Sequence, residues 1–414
     1  MKALRIRIFG IVQGVGFRPF VSRLGERYGL NGTVSNRGSL VEILISLPVK
    51  NTEGFLRALK EEAPPRSRIM DMETETVELS EALKGFSIIE STPEKGPIFV
   101  SPDIGICDAC KEELFNPKNR RYLHPFINCT DCGPRLTVMK GMPYDRERTC
   151  MHDFPMCSAC ESEYTNPSSR RYDAQPVCCN DCGPQVYIVG TDIKGGEAIA
   201  AAREALCEGK IIAVKGIGGF HLCCDATNEA VVDKLRRLKP RPAKPLAVMA
   251  KNLETAKREC VVTKAEERLL VGWEKPVVLM KKRCGGKAAP SVAPDNPFLG
   301  VMLPYAPLQL LLFSYPDGRL VSDLLVMTSA NKSGMPICRS DEDVCRDLPG
   351  LCDLVLSHDR EILLRVDDSV VTVFNEEPYM IRRSRGYAPL PIHVKGDFHG
   401  SVLGAGGELK NTVC

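Results

Sequence analysis

The sequence predicts a multidomain protein of mixed α+β and α/β class. Its 414 residues exceed the roughly 150 residues of an average domain, so two to four domains are expected. Residues 1–90 follow a strand, helix, hairpin, helix and strand pattern, whereas residues 195–390 alternate strands with helices. A cysteine-rich repeat in residues 103–190 separates these two parts.

Composition excludes several classes of protein. Hydrophobic residues make up 43% and charged residues 26% of the chain, which is typical of globular domains and excludes a disordered or fibrous protein. No apolar run approaches the roughly 18 residues needed to cross a bilayer, and the first residues alternate like a strand rather than forming a signal peptide. We therefore expect a soluble, cytoplasmic protein that does not bind membranes.

The first ninety residues predict a ferredoxin-like βαββαβ domain. Leu4, Ile6 and Ile8 alternate with arginines as in a half-buried strand, and apolar residues recur at helical spacing over 17–28. The remaining predicted elements are a hairpin over 32–36 and 39–47, a helix over 53–62 and a strand near 68–79. Residues 91–102, which contain prolines and a glycine, are predicted to be a linker.

Residues 103–190 contain an internal repeat with a constant offset of about 50 residues. Each copy has the pattern Cys-x2-Cys-x18-Cys-x2-Cys, with Asn-Pro and Arg-Arg-Tyr between the cysteine pairs. A two-residue spacer lets one tight turn present two thiolates, and four such ligands complete a tetrahedral zinc site without an open position. We therefore predict two structural zinc sites. Their ligands are Cys107, Cys110, Cys129, Cys132, Cys157, Cys160, Cys179 and Cys182.

Spacing alone leaves the zinc ligand sets open, because the pairs could combine within each copy or interleave. The alternative is that all eight are reduced structural cysteines. His152 and Cys150 are expected to be exposed bystanders, and Cys178, Cys223 and Cys224 to be small buried residues. Two such zinc sites would remove eight thiol protons and add two Zn²⁺, which changes the formal net charge from +3 to −1. Nucleic acid is therefore not an expected partner.

The loop Gly10-Ile-Val-Gln-Gly-Val-Gly-Phe-Arg18 joins the first strand to the first helix. Its glycines, the helix N-terminus and Arg18 suit a phosphate-sized anion, although spacing alone is equally consistent with a simple tight turn. The loop and Asn36 resemble the acylphosphatase family, and the resemblance covers about 90 residues. It implies that Arg18 binds the phosphoryl group and that Asn36 positions the attacking water. It also implies a phosphate-binding loop of Gln13, Gly14, Val15, Gly16 and Phe17.

The α/β part has predicted helices over 231–238 and within 253–271. Its predicted strands are 211–214, 246–249, 277–280, 308–313, 324–328 and 370–374. Three segments, at 238–249, 328–334 and 382–387, combine lysines and arginines with a Ser-x-Asn motif. Together they resemble the YrdC family, whose members form a carbamoyl-type adenylate from ATP. The resemblance implies that the nucleotide and the carbamoyl group contact Lys239, Arg241, Lys244, Ser329, Asn331, Arg383 and Arg385. Without it, the cationic cluster at 239–244 would be interpreted as a solvated surface.

Two further segments leave alternatives open. The segment from Lys215 to His221 departs from that of the stand-alone synthases, which puts a threonine-binding role in doubt. Asp367 and Asp368 could hold Mg²⁺ with the nucleotide or form salt bridges to neighbouring arginines.

The order of the three parts resembles the HypF family, carbamoyltransferases of [NiFe]-hydrogenase maturation. The resemblance implies that carbamoyl phosphate is hydrolysed, that the carbamate is adenylated with ATP and Mg²⁺, and that the carbamoyl group passes to the terminal cysteine of HypE. Residues 400–414 resemble the start of the family's transferase domain, so a truncated chain is expected.

Two other functions remain open. One is a YrdC-type threonylcarbamoyl-adenylate synthase acting in tRNA modification. The other is a non-enzymatic zinc scaffold.

Overall fold

The computed structural model describes residues 2–38, 40–48, 52–92, 100–241, 243–390 and 404. They form two compact units, one mainly from residues 1–102 and 128–183 and the other mainly from residues 103–127 and 184–388. Within the described ranges, no helix is both long and apolar enough to cross a membrane. The predicted start of a transferase domain at 400–414 lies outside the described residues, apart from Gly404.

The first unit contains the predicted ferredoxin-like domain. Its sheet has the strand order β4-β1-β3-β2-β5, in which only the short added strand β5 pairs in parallel, with β2. Ile6 and Ile43 from the sheet pack with Phe17 and Phe55 from the two helices in one buried cluster. The elements are β1 (Lys2–Ile11), α1 (Phe17–Arg27), β2 (Gly32–Arg37), β3 (Leu40–Ser46), α2 (Thr52–Glu61), β4 (Arg68–Glu78) and β5 (Phe86–Ile88).

The two copies of the cysteine repeat fold in the same way locally. The first pair of each copy lies at the start of a short helix, α3 (Asp108–Phe115) or α4 (Ser158–Thr165). Cys107 and Cys157 occupy the equivalent N-cap positions with extended backbone. Each helix buries few side chains, so burial alone contributes little to its stability. Short 3-10 helices at Leu136–Val138, Arg146–Arg148 and Cys150–Asp153 lie between the copies.

The second unit is built on a ten-stranded mixed sheet with the order β15-β14-β10-β11-β9-β12-β8-β7-β13-β6. Apolar residues on its strands and covering helices form one extended buried cluster. Its strands are β6 (Val186–Ile188), β7 (Ile212–Lys215), β8 (Phe220–Asp225), β9 (Val248–Ala250), β10 (Val277–Lys281), β11 (Phe298–Met302), β12 (Leu324–Ser329), β13 (Leu354–His358), β14 (Val370–Phe374) and β15 (Glu377–Arg382). Its helices are α5 (Gly195–Cys207), α6 (Glu229–Leu238), α7 (Leu253–Glu259), α8 (Lys264–Val271), α9 (Pro307–Phe313) and α10 (Asp341–Asp347).

The prediction of a strand at 308–313 was wrong, because this segment forms helix α9. All six of its residues are buried, so the sequence carries no helical periodicity there. Pro307 begins the helix, where the absence of an N–H costs nothing. The Gln309 side chain accepts hydrogen bonds from the backbone N–H groups of Tyr305 and Ala306 at 2.9 and 3.0 Å.

Candidate functional site

Three glycines shape the loop between β1 and α1. Gly10, Gly14 and Gly16 have φ angles of 132°, 70° and 74°, in the region that favours glycine. Gly16 is the N-cap of α1, which places the positive end of the helix dipole at the loop. The sequence therefore bends as an anion-binding loop requires.

Arg18 is buried and is held by several polar contacts. Its Nη1 lies 2.7 Å from Asp145 Oδ1 and 3.1 Å from Ser91 Oγ, and its Nε lies 2.9 Å from Asp173 Oδ2. Burial lowers the pKa of Arg18, but Asp173 and Asp145 outweigh that effect and raise it overall. Burial and Asp145 raise the pKa of Asp173, and Arg18 reverses this only in part. Two carboxylates thus share one guanidinium.

Asn36 is fully buried on β2, and neither polar atom of its side chain has a hydrogen-bond partner among the described residues. A buried amide without partners is costly and indicates a ligand or water at that point. Its backbone carbonyl accepts from Thr92 N–H at 3.0 Å, next to the Ser91 hydroxyl that contacts Arg18. This connection brings the two predicted catalytic side chains to the same region of the first unit.

Most of the predicted loop residues line a small cavity, and the remaining one lies in the hydrophobic core beside it. A small cavity of about 20 Å³ is lined by Gln13, Gly14, Gly16, Phe17 and Arg18, whereas Val15 is buried in the hydrophobic core. The Gln13 amide also donates to the carbonyls of Gly38 and Leu40, at 3.1 Å each. Gln13 therefore ties the loop to the β2–β3 turn that follows Asn36.

Sequence reasoning missed the two acidic partners of Arg18. Asp173 occupies the position in the second repeat that Leu123 occupies in the first, and both have positive φ angles, of 57° and 55°. An aspartate at a repeat position that carries a leucine in the other copy was therefore a signal that could have identified Asp173. Arg135, which donates from Nε to the Gly14 carbonyl at 2.5 Å, was also missed.

The eight predicted zinc ligands form two groups, and each group contains the cysteines of one repeat copy. Within each group the sulfur atoms all lie within 4.8 Å of one another. Tetrahedral zinc with Zn–S bonds of about 2.3 Å requires sulfur separations of about 3.8 Å. The contacts Cys129–Cys132, Cys157–Cys179 and Cys182–Cys160 measure 3.9, 3.8 and 3.6 Å. Both groups therefore fit structural zinc, with pairing inside each copy rather than interleaved.

The neighbouring histidine and cysteines do not join these groups. His152 is exposed as predicted, but Cys150 is buried rather than exposed, because it lies in a 3-10 helix packed inside the unit. The prediction that Cys178, Cys223 and Cys224 are buried is confirmed.

The second unit contains a cavity of about 800 Å³ lined by the predicted cationic cluster. Lys239 lies at its wall and donates from Nζ to the Ser329 carbonyl and, at 2.8 Å, to Asn331 Oδ1. Arg241 donates to Thr328 Oγ1 at 3.1 Å, and Lys244 also lines the cavity. The two predicted segments thus converge, since 92 residues separate Lys239 from Asn331.

The electrostatics of this cavity favour an anionic ligand. Burial, with the charges of Arg241 and Lys244, lowers the pKa of Lys239 to about 7. Burial, with Arg236 and Arg382, lowers the pKa of Arg241 to about 10. Cations whose pKa values are lowered by neighbouring cations gain when a polyanion binds between them. Arg382, which lines the cavity, was not among the predicted residues.

The predicted arginines Arg383 and Arg385 do not line this cavity. Arg383 donates to the Tyr387 carbonyl at 3.0 Å. Arg385 is buried, pairs with Asp368 at 2.7 Å and donates to the carbonyls of Glu274 and Lys275. The motif thus places Arg382 rather than these two at the cavity, and Asp368 proves to be the salt-bridge partner.

Comparison with protein families matches each of the three parts. The acylphosphatase model matches residues 4–88, the HypF finger model residues 106–139 and 156–189, and the Sua5/YciO/YrdC model, described as telomere recombination, residues 204–384. The carbamoyltransferase HypF2 of Cupriavidus necator is 46% identical over 99% of this chain and 53% of its own length. The chain belongs to the HypF family. HypF of Synechocystis sp. is 45% identical over the whole of this chain and 54% of its own length.

Solved HypF structures share the fold. A full-length HypF crystallised in a phosphate- and nucleotide-bound form superposes with a TM-score of 0.90 at 46% identity, over 97% of this chain and 52% of that one. HypF of T. kodakarensis superposes with a TM-score of 0.87 at 42% identity, over 95% of this chain and 50% of that one. The chain thus spans about half the length of the HypF proteins that it matches.

Proposed function

We propose that this chain hydrolyses carbamoyl phosphate and adenylates the resulting carbamate with ATP, giving carbamoyl-adenylate and pyrophosphate. The observation that carries the proposal is the convergence of Lys239, Arg241 and Lys244 with Ser329 and Asn331 on one large cavity. Such an array of cations and neutral polar side chains suits a nucleoside triphosphate with a small acyl group beside it.

The first reaction is assigned to the loop between β1 and α1. Arg18 binds the phosphoryl oxygens, helped by the N-terminus of α1, and the Asn36 amide positions the attacking water. A neutral amide orients water without repelling an anionic substrate. The whole predicted loop, from Gln13 to Phe17, is part of this proposal.

The second reaction is assigned to the cavity of the second unit. Lys239, Arg241, Lys244 and Arg382 bind the phosphates, and Ser329 and Asn331 hold the nucleotide and acyl group. Bound Mg²⁺ would neutralise phosphate charge, and Asp367, a carboxylate that lines the cavity, would hold it. Arg383 and Arg385 are assigned supporting roles outside the cavity.

Three further points complete the proposal. The segments 1–90, 103–190 and 195–390, with a linker at 91–102, are the functional domains. The carbamoyl acceptor is the C-terminal cysteine of HypE. The reactions take place in the cytoplasm.

The test is pyrophosphate release from ATP with carbamoyl phosphate, compared among wild type, Arg18→Ala and Lys239→Ala. We expect dependence on carbamoyl phosphate and loss of at least a hundredfold in both variants. Free carbamate should restore only Arg18→Ala, because that variant lacks only the hydrolytic step. Restoration of neither variant would mean that the two sites are assigned wrongly. Threonine-dependent pyrophosphate release would instead favour threonylcarbamoyl-adenylate synthesis.

A further inference from the structure

Arg135 connects the cysteine-rich residues 128–183 to the loop between β1 and α1, and both belong to the first unit. Its side chain is buried, and its Nε donates to the Gly14 carbonyl at 2.5 Å. A Cβ on residue 14 would lie 3.1 Å from Arg135 Cδ, so the arginine packs directly against this glycine. A Cβ on Gly16 would lie 3.6 Å from the Thr130 Cβ. The cysteine-rich residues therefore contact the loop at two of its three glycines.

The other N–H groups of Arg135 all donate to its own segment. Its Nη1 donates to the carbonyls of Cys132 and Pro134 at 3.1 and 3.0 Å. Its Nη2 donates to the carbonyls of Thr130 and Cys129 at 2.8 and 3.5 Å. A guanidinium has five N–H donors, and Arg135 gives all five to backbone carbonyls. No donor is left for a substrate, so Arg135 acts on the loop by holding it in place.

Tyr144 holds the same loop one residue earlier. Its backbone N–H donates to Gln13 Oε1 at 3.1 Å, and its ring centre lies 5.8 Å from the guanidinium carbon of Arg135. Its hydroxyl donates to the Pro134 carbonyl at 3.3 Å, which fixes the ring beside Arg135. The consecutive loop residues Gln13 and Gly14 are thus both anchored to the cysteine-rich residues.

The contact with Arg135 decides where the next N–H of the loop points. The Gly14–Val15 peptide is trans and planar, so its C=O and N–H are directed to opposite sides. Because Arg135 holds the carbonyl, the Val15 N–H is directed away from Arg135. Val15 is only 2% exposed, and its N–H makes no hydrogen bond in the part of the chain that the structure describes. A buried N–H without an acceptor indicates a ligand or water at that point.

We propose that Arg135 is a positioning residue of the hydrolytic site, which fixes the Gly14–Val15 peptide so that the Val15 N–H donates to the phosphoryl group. The inference rests on the proposed hydrolysis at Arg18 and deepens it, because it assigns part of the phosphate affinity to a residue outside the ferredoxin-like domain. A donor that is already aimed at the anion loses little freedom when the anion binds. The cysteine-rich residues then contribute to the reaction as well as to the fold.

The first test measures the binding of inorganic phosphate to the full 414-residue chain by calorimetry. A non-hydrolysable ATP analogue saturates the cavity of the second unit, and Arg18→Ala gives the baseline without the assigned phosphate ligand. We expect Arg135→Ala to bind phosphate about tenfold more weakly than wild type, because one hydrogen bond to a charged group is lost. Its affinity for the ATP analogue and its zinc content should stay at the wild-type values.

Two further variants separate geometry from charge. Arg135→Lys keeps the positive charge but loses the planar fork of five donors, so its phosphate affinity should stay at least about fivefold below wild type. Arg148→Ala is the matched control, because it removes an exposed arginine from the same unit. We expect Arg148→Ala to bind phosphate as wild type does.

The second test follows the Val15 amide by NMR in chain labelled with ¹⁵N-valine. The resonance is identified by its loss in Val15→Ile. Phosphate should shift it downfield in wild type, and this shift should be lost in Arg135→Ala. The other valine resonances of Arg135→Ala should keep their wild-type positions, because only the aim of one peptide is changed.

Three outcomes would overturn the inference. One is wild-type phosphate affinity in either Arg135 variant, and another is a Val15 amide that does not respond to phosphate in wild type. The third is loss of zinc with changes in most valine resonances of both Arg135 variants, which would show a merely structural role. Failure of the proposed function is seen separately, as wild type that binds phosphate no better than Arg18→Ala, which would remove the site that Arg135 is proposed to support.

Discussion

Arg18 Nε lies 2.9 Å from Asp173 Oδ2, and neither side chain is more than 10% exposed. Asp145 binds the same guanidinium at 2.7 Å, so two carboxylates surround the one cation that we assign to phosphate binding. A phosphate anion must therefore compete with protein carboxylates for Arg18. We expect this competition to limit the affinity of the proposed site for phosphate.

Asp145→Asn removes one competing charge at constant size. We expect inorganic phosphate to bind about tenfold more tightly, since a nearby negative charge opposes the anion and Asp173 still pairs with Arg18. Calorimetric titration with phosphate measures this. Asp153→Asn is the control, because Asp153 is exposed and pairs with Lys140 at 3.8 Å. Weaker or unchanged phosphate binding in Asp145→Asn would show that Asp145 does not compete.

Nucleotide affinity should depend on pH through Lys239, whose pKa is lowered to about 7. Bound phosphates favour the charged form, so binding takes up a proton when the free lysine is neutral. Above pH 7 the affinity for a non-hydrolysable ATP analogue should therefore fall, by up to roughly tenfold per pH unit. Lys239→Arg should remove most of this dependence, because a guanidinium stays charged. Equal dissociation constants for wild type at pH 7 and pH 9 would contradict the assignment.

The chain should bind two zinc ions, one in each cysteine group. Cys160→Ser removes a fully buried ligand, and we expect the metal content to fall from two to one per chain with local unfolding of that finger. Cys178→Ala is the matched control, because Cys178 is a buried cysteine outside the ligand group. Elemental analysis after gel filtration measures both variants. Two zinc ions in Cys160→Ser would exclude it as a ligand.

Asp368→Asn should destabilise the second unit by about 3 kcal/mol, because it leaves the buried Arg385 without its charge partner. In wild type, the pair stabilises the folded unit fully at pH values above the usual pKa of a carboxyl group. This stabilisation is lost only as the pH falls below that usual pKa, because the pKa of Asp368 is lowered in the folded unit. The single tryptophan, Trp273, lies in this unit and reports its unfolding in denaturant. Asp323→Asn, at an exposed pair with Lys251, should cost less than about 1 kcal/mol. Equal effects would show that the pair contributes little.

Residues that follow short-range rules were predictable from the sequence. The helix at 17–28 and the predicted strands of the first ninety residues follow their apolar periodicity. The cysteine spacing identified the eight zinc ligands, although it did not decide which four share a site. The approach of Lys239 to Asn331 came from family resemblance, because no local pattern links residues 92 positions apart.

What the sequence did not predict depends on tertiary contacts. Helix α9 is buried on all sides, which removes the periodicity that would distinguish it from a strand. The family resemblance implied that Arg383 and Arg385 contact the nucleotide or the carbamoyl group, but strand β15 ends with Arg382 at the cavity and Arg385 pairs with Asp368. At an irregular strand end, charge alone does not predict which side chains face the cavity and which face the other side of the sheet.

The most direct test of the central claim is the stoichiometry of the two reactions in the isolated chain. Phosphorus NMR can follow phosphate released from carbamoyl phosphate and pyrophosphate released from ATP in one sample. We expect pyrophosphate only when carbamoyl phosphate is present, and never in excess of phosphate, because each adenylation consumes one carbamate. Pyrophosphate release that proceeds at the same rate without carbamoyl phosphate would contradict the account.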